Sequence, residues 1–178
     1  MERDFQLSPH FSLYQLTVTS HQDLLSENRH VTQEEQQKLA QVADLLETCR
    51  IILGCDLDIH SGRRYLELNK RVGGSERSQH LKCEAADWSP AGPDTEETVT
   101  DAWQKIATAA RAGKIEFGQL IVESDGRGRE GRVWWVHVSL GAPFRVPERC
   151  GEVLSAKDGK FVMIAQIPPP KEKTHEAA

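Results

Sequence analysis

Nowhere does the sequence carry about 18 consecutive apolar residues, the length that spans a bilayer as a helix, so no membrane-crossing helix is expected. Its acidic start, Met1-Glu2-Arg3-Asp4, is followed by no apolar run of signal-peptide length, so the chain is expected to be made and kept in the cytosol unless something releases it. Basic residues are not in excess. Lys and Arg number 22 against 27 Asp and Glu, a net charge of -5, which argues against a nucleic-acid partner. The four cysteines, Cys49, Cys55, Cys83 and Cys150, form no C-x-x-C pair and no regular spacing. Neither a thiolate zinc knuckle nor a disulfide framework is suggested, and they read as mostly reduced thiols. There is no internal repeat.

What remains is an ordinary globular composition: 178 residues, 38% hydrophobic and 28% charged. That length supports one core and one active site, so residues 1–167 are expected to form a single domain and the protein a monomer. From Pro168 onward, three prolines and a charged tail predict disorder over residues 168–178.

Residues 7–20, with Phe11, Leu13, Tyr14 and Leu16, read as a packing arm. Thr32 with Glu35 forms a capping box, and Leu39, Val42, Ala43, Leu46 and Cys49 follow at helical spacing, predicting an amphipathic helix of about five turns. Leu57-Asp58-Ile59 suggests a strand, and residues 65–72 a short helix stopped by Gly73-Gly74. Asp94 with Glu97 offers a second capping box, for a helix through Val99, Trp103 and Ile106 that ends at Gly113. Residues 117–123 and 132–140 flank a polar, glycine-rich turn and predict an antiparallel hairpin. A second hairpin is expected over residues 151–167, turning at Lys157-Asp158-Gly159-Lys160.

The chemistry concentrates in Ser78-Gln79-His80-Leu81-Lys82-Cys83-Glu84-Ala85-Ala86-Asp87, where an imidazole and a carboxylate stand seven positions apart. Zinc takes such nitrogen and oxygen ligands, and three protein ligands leave its fourth position for water. An isolated pair would equally be a capping histidine and a turn aspartate. The strand Val133-Trp134-Trp135-Val136-His137-Val138-Ser139 adds weight, because alternation puts Trp134, Val136 and Val138 on an apolar face and turns Trp135, His137 and Ser139 the other way. On the partner strand the same parity places Glu123 on the face of His137. A hairpin centred at Gly128 would set Gln119 opposite His137 and Glu123 opposite Val133, diagonal to Trp135, so a bulge or an asymmetric loop would be needed to bring Glu123 to the site. Glu123 is then either a general base or a solvated strand-end glutamate.

The block from Ser78 to Asp87 resembles the S-x-H-x-x-G-x-A-x-D signature of the zinc D-alanyl-D-alanine carboxypeptidases and related phage endolysins. Ser61-Gly62-Arg63-Arg64, Glu67-Leu68-Asn69 and Val72-Gly73-Gly74 are similar to the family's S-G-Y-R-S, E-L-N and V-G-G elements, and Trp135-Val136-His137-Val138-Ser139 to its W-V-H-V-S segment. The resemblance runs from about Leu7 to Leu140. It implies His80, Asp87 and His137 as ligands of one zinc ion, Arg64 as a contact to a substrate carboxylate or carbonyl, and Ser78 as a site-shaping hydroxyl. Arg64 as a surface ion-pair residue and Ser78 as a turn cap are the alternatives. The implied fold is α+β, a small antiparallel sheet with flanking helices, like that of Hedgehog domains and D,D-peptidases. The implied substrates are peptidoglycan stem peptides, reached after release from the cell or packaging in a virion.

Two positions depart from the pattern. Trp134 stands where many members carry the catalytic carboxylate, three residues before the last histidine, which leaves Glu123 to replace it. Cys83 stands where the signature has glycine. A positive φ there would strain it, a small side chain would be tolerated, or its thiolate could approach the metal. As an enzyme, the chain would use Glu123 and Arg64 in catalysis, with Arg64, Ser78 and Trp135 binding substrate. The alternative is a non-catalytic zinc or peptidoglycan-binding protein, such as a phage structural component.

Overall fold

The computed structural model describes residues 4–128, 131–145 and 149–167. The tail expected to be disordered, residues 168–178, lies outside these. Among the described residues, four α-helices, α1 (Leu25–Arg29), α2 (Gln33–Leu53), α3 (Leu66–Arg71) and α4 (Glu96–Arg111), accompany six strands. These are β1 (Leu57–Ser61), β2 (Ala85–Pro90), β3 (Gln119–Gly128), β4 (Gly131–Ser139), β5 (Glu152–Lys157) and β6 (Lys160–Gln166).

Helix α2 starts where its capping box predicts. The Thr32 hydroxyl accepts from the Glu35 amide at 3.2 Å, and the Glu35 carboxylate accepts from the Thr32 amide at 2.8 Å. Gly54, at φ +70, ends it in the left-handed conformation. Helix α4 starts one residue later than the Asp94–Glu97 box predicts. Its cap is Thr95, whose hydroxyl accepts from the Thr98 amide at 3.1 Å while the Thr98 hydroxyl accepts from the Thr95 amide. Thr98 also donates to the Pro93 carbonyl at 2.6 Å, which holds the entering turn. Asp94 instead faces His60, 3.8 Å away.

The strands form one sheet in the order β1-β2-β4-β3-β5-β6. It is mixed rather than antiparallel: β3 and β5 run parallel, and the other neighbours are antiparallel. Strand β4 lies between β2 and β3, so the second hairpin joins β3 at its other edge. Because β4 has already returned the chain to the start of β3, β5 sets off in the same direction. The second hairpin turns where expected, through Asp158 at φ 50 and Gly159 at φ 76.

Helix α4 packs on β2, β3 and β4, and α2 packs on α4. Between helices and sheet lie Trp88, Leu120, Val122, Val136 and Val138, all buried as the alternating pattern requires. Phe11, Leu13 and Leu16 of the N-terminal arm enter the same core. The opposite face of β2, β4, β3 and β5 is left open as a groove floored by Ile121 and Leu154.

Cys83 sits at φ 60, in the left-handed region, closing the short 3-10 turn Gln79–Lys82. Its side chain is fully buried in the main core, and burial pushes the thiol up to about 12. It therefore remains a thiol and stands outside the His80, Asp87 and His137 cluster. The glycine of the family signature relieves a backbone that a cysteine can adopt at a cost of about 1 kcal/mol. Cys83→Gly is expected to shift stability by no more than about 1 kcal/mol, since relief of the backbone offsets the lost thiol contacts. Cys83→Val puts a branched side chain at the same φ in a filled core and should cost about 2–4 kcal/mol in urea unfolding. Equal stability of the two variants would refute this account.

Candidate metal centre

His80 comes from the 3-10 turn, Asp87 from β2 and His137 from β4, where Asp87 and His137 are direct cross-strand partners. All three are buried. His137 Nδ1 lies 2.9 Å from Asp87 Oδ1, and His80 Nε2 lies 3.2 Å from both of those atoms. Tetrahedral zinc with bonds of about 2.0–2.1 Å separates its ligand atoms by about 3.4 Å, so the triangle is close to one face of such a site.

The donor set fits a cation for a second reason. His80 Nδ1 is 2.6 Å from the Gly62 carbonyl, which can only accept, so that nitrogen carries the ring proton. His137 Nε2 is 3.0 Å from Gln79 Oε1, and the amide nitrogen of Gln79 donates to the Ser139 hydroxyl at 2.8 Å. The second ring is thereby also protonated on its far side. In the neutral tautomers, two nitrogen lone pairs and a carboxylate oxygen converge with no proton between them. They repel unless a positive charge joins them. Burial pushes the His80 pKa down against the attraction of Asp87, which favours the neutral ring. Burial would raise the Asp87 carboxyl, but attraction to positive charge, a proton on the facing imidazoles or the Arg64 guanidinium beside it, holds it well below the usual range.

Arg64 is half-buried beside the candidate ligands. Its Nε donates to the Ser61 hydroxyl at 2.8 Å, and its Nη2 donates to Asp87 Oδ2. It is therefore an ion-pair partner of a candidate ligand, turned into the groove rather than out to solvent. Ser78 lines the groove and occupies the N-cap position of the 3-10 turn, but its side chain makes no capping bond.

The β3–β4 register differs from the hairpin centred at Gly128. Ile121 pairs with His137 and Glu123 with Trp135, and a bulge interrupts the ladder between Asp125 and Gly128. Strands continue through most of the expected turn, and the bulge restores the parity. The change moves Glu123 one step along the face, from diagonal to directly beside Trp135. Both line the groove with the three candidate ligands. Burial raises the Glu123 carboxyl to about 7; His137 and Arg64 oppose the rise and Asp87 adds to it. Trp134 packs partly buried against the core, on the helix side of the sheet.

Two residues went unnoticed in the sequence. Gln79 bridges His137 and Ser139, and Asn28, fully buried, donates to the Thr17 and Arg63 carbonyls at 2.8 and 2.9 Å while accepting from the Tyr65 amide. Adjacency of Gln79 to His80 was the only available signal. Gln79→Leu is expected to weaken metal binding about 10–100-fold by freeing the His137 ring, as read by competition with a chromogenic chelator. An unchanged affinity would show that the strand alone orients that ring.

Three candidate ligand atoms, two from the sheet and one from the turn beside it, with an open groove and a carboxylate raised towards neutrality, describe a metallohydrolase type of site. The model of the family described as Peptidase M15 matches residues 10–139, and the chain belongs to that family. Its peptidases are zinc-dependent, and the match supports a metallopeptidase. No curated protein matches the chain. Among the described residues, no helix is long and apolar enough to cross a membrane.

Proposed function

We propose that this protein is a zinc metallopeptidase that hydrolyses peptide bonds in peptidoglycan stem peptides, as a D-Ala-D-Ala carboxypeptidase or an endopeptidase. The observation that carries the reading is the convergence of three candidate ligand atoms, His80 Nε2, Asp87 Oδ1 and His137 Nδ1, in a groove shared with Glu123. The α+β layout, with the site on the open face of the sheet, agrees with a Hedgehog/DD-peptidase-like fold.

Zinc bound there would lower the pKa of water to about 7 and polarise the scissile carbonyl. Glu123 takes a proton from the attacking water and passes it to the leaving amine, a task suited to a carboxyl raised to about 7. Arg64 keeps Asp87 in place and steadies the developing oxyanion or a terminal carboxylate. Ser78 shapes the groove, and Trp135 lies along the substrate. The test is incubation of zinc-loaded protein with peptidoglycan and mass analysis of the fragments. Released D-alanine identifies a carboxypeptidase and cut crosslinks an endopeptidase. Intact muropeptides would overturn the proposal in favour of a non-catalytic binding protein.

A further inference from the structure

We infer that the groove contains a separate carboxylate-binding subsite, formed by Arg145 and Arg149 around Glu152, that takes a substrate carboxylate several residues from the scissile bond. This rests on the peptidase reading for its substrate and on distinct residues for its geometry. Glu152 is buried at the start of β5, facing the groove. Its Oε2 accepts from Arg145 Nη2 at 2.5 Å and from Gln119 Nε2 at 2.7 Å, while its Oε1 accepts from Arg149 Nε at 3.1 Å. Arg145 Nε donates to the Arg149 carbonyl at 2.6 Å, which ties the two arginines together.

One carboxylate between two guanidiniums leaves a net positive charge. It also leaves Arg145 Nη1 and both terminal nitrogens of Arg149 outside the hydrogen bonds made among the described residues. Arg145 is largely buried, whereas the Arg149 side chain is 61% exposed and lines the groove. The arrangement is a held fork plus an accessible one, which suits a carboxylate.

Register gives its distance from the metal ligands. His137 is level with Ile121 on β3 and Leu154 on β5, and Glu152 lies two residues back along β5. Two strand spacings across and two residues along amount to about 12 Å, the span of three or four extended peptide residues. Glu123 lies in the opposite direction along β3, so a peptide crossing the ligands has its reacting bond between the base and the basic cluster.

The probe is a synthetic stem pentapeptide ending in D-Ala-D-Ala and carrying one internal carboxylate, prepared in three forms: both carboxylates free, the internal one amidated, and the terminal one amidated. Arg149→Gln is the first variant, because its exposed side chain can change without unmaking the fold, and Arg145→Lys the second, keeping charge while losing the fork. Binding is measured by calorimetry on the zinc-loaded protein carrying Glu123→Gln, alongside turnover by the protein with Glu123 intact. The wild-type arginines should favour the free acid over one amide by about 10-fold or more, and Arg149→Gln should abolish most of that preference. Amidating the internal carboxylate should remove the preference; a preference lost only on amidating the terminal carboxylate, one residue from the scissile bond, would overturn a subsite separate from Arg64. Equal binding of all three forms, or a preference that survives both arginine variants, overturns the subsite. Absence of turnover with the preference intact would instead count against the peptidase reading alone.

Discussion

Glu123→Gln is expected to lower kcat on muropeptides by about 10²- to 10⁴-fold while one zinc per chain is retained. The amide keeps the shape of the side chain beside Trp135 but cannot take a proton from water. Because the base must be ionised, kcat/KM of the unaltered protein should fall as pH drops through the Glu123 pKa. That midpoint lies at about 7 in the metal-free chain and moves lower with a cation nearby, which favours the carboxylate. The same elevation makes Glu123 oppose folding in the metal-free protein as pH rises from 4.5 to about 7, since the unfolded chain ionises first. A wild-type rate in Glu123→Gln would remove Glu123 from the mechanism, and loss of zinc would make it a ligand instead.

Asp87→Ala should abolish stoichiometric zinc binding and hydrolysis together, and should destabilise the metal-free chain by about 3 kcal/mol. The second effect comes from Arg64, whose Nη2 donates to Asp87 Oδ2 and would be left in the groove without its anion. Because Arg64 borders open space, it can turn towards water, so the lower end of the range for a broken buried pair applies. The Asp87 carboxyl is held below its ordinary 3.8, so its contribution is complete above that value and disappears as pH falls through the lower folded value. The stability gap between the two proteins should therefore narrow on acidification. Full zinc occupancy in Asp87→Ala, measured by atomic emission, would sink the ligand assignment.

The convergence of His80, Asp87 and His137 was legible in the sequence because two short motifs carry them and strand alternation turns His137 towards the open face. The α2 cap was legible because Thr32 and Glu35 close on each other locally. Other features depend on contacts distant in sequence or on backbone detail. The parallel pairing of β3 with β5 follows from β4 occupying the other edge, which no local pattern encodes. The position of Glu123 depends on a bulge between Asp125 and Gly128, a single inserted residue in a stretch full of glycine and charge. The α4 cap misled because Asp94 and Thr95 are both good cap residues, and the Thr98 bond to Pro93 decides between them. Gln79 and Asn28 act through side-chain bonds to partners 58 and 11 positions away, a separation that hides them.

Gly62 joins two parts of the molecule that would otherwise be independent. A β-carbon there would meet the Leu16 carbonyl oxygen at 2.3 Å, the Leu16 carbonyl accepts from the Arg63 amide at 2.8 Å, and the carbonyl of Gly62 itself holds His80. The N-terminal arm thus backs the candidate metal centre, and its seating should be linked to the affinity for a cation held there. Loosening the arm, by a bulky tag pressed against Phe11 or by proteolytic trimming, should raise the zinc dissociation constant without touching a ligand. Conversely, zinc should slow proteolysis of the arm, so limited digestion with and without metal reports the coupling from the far end.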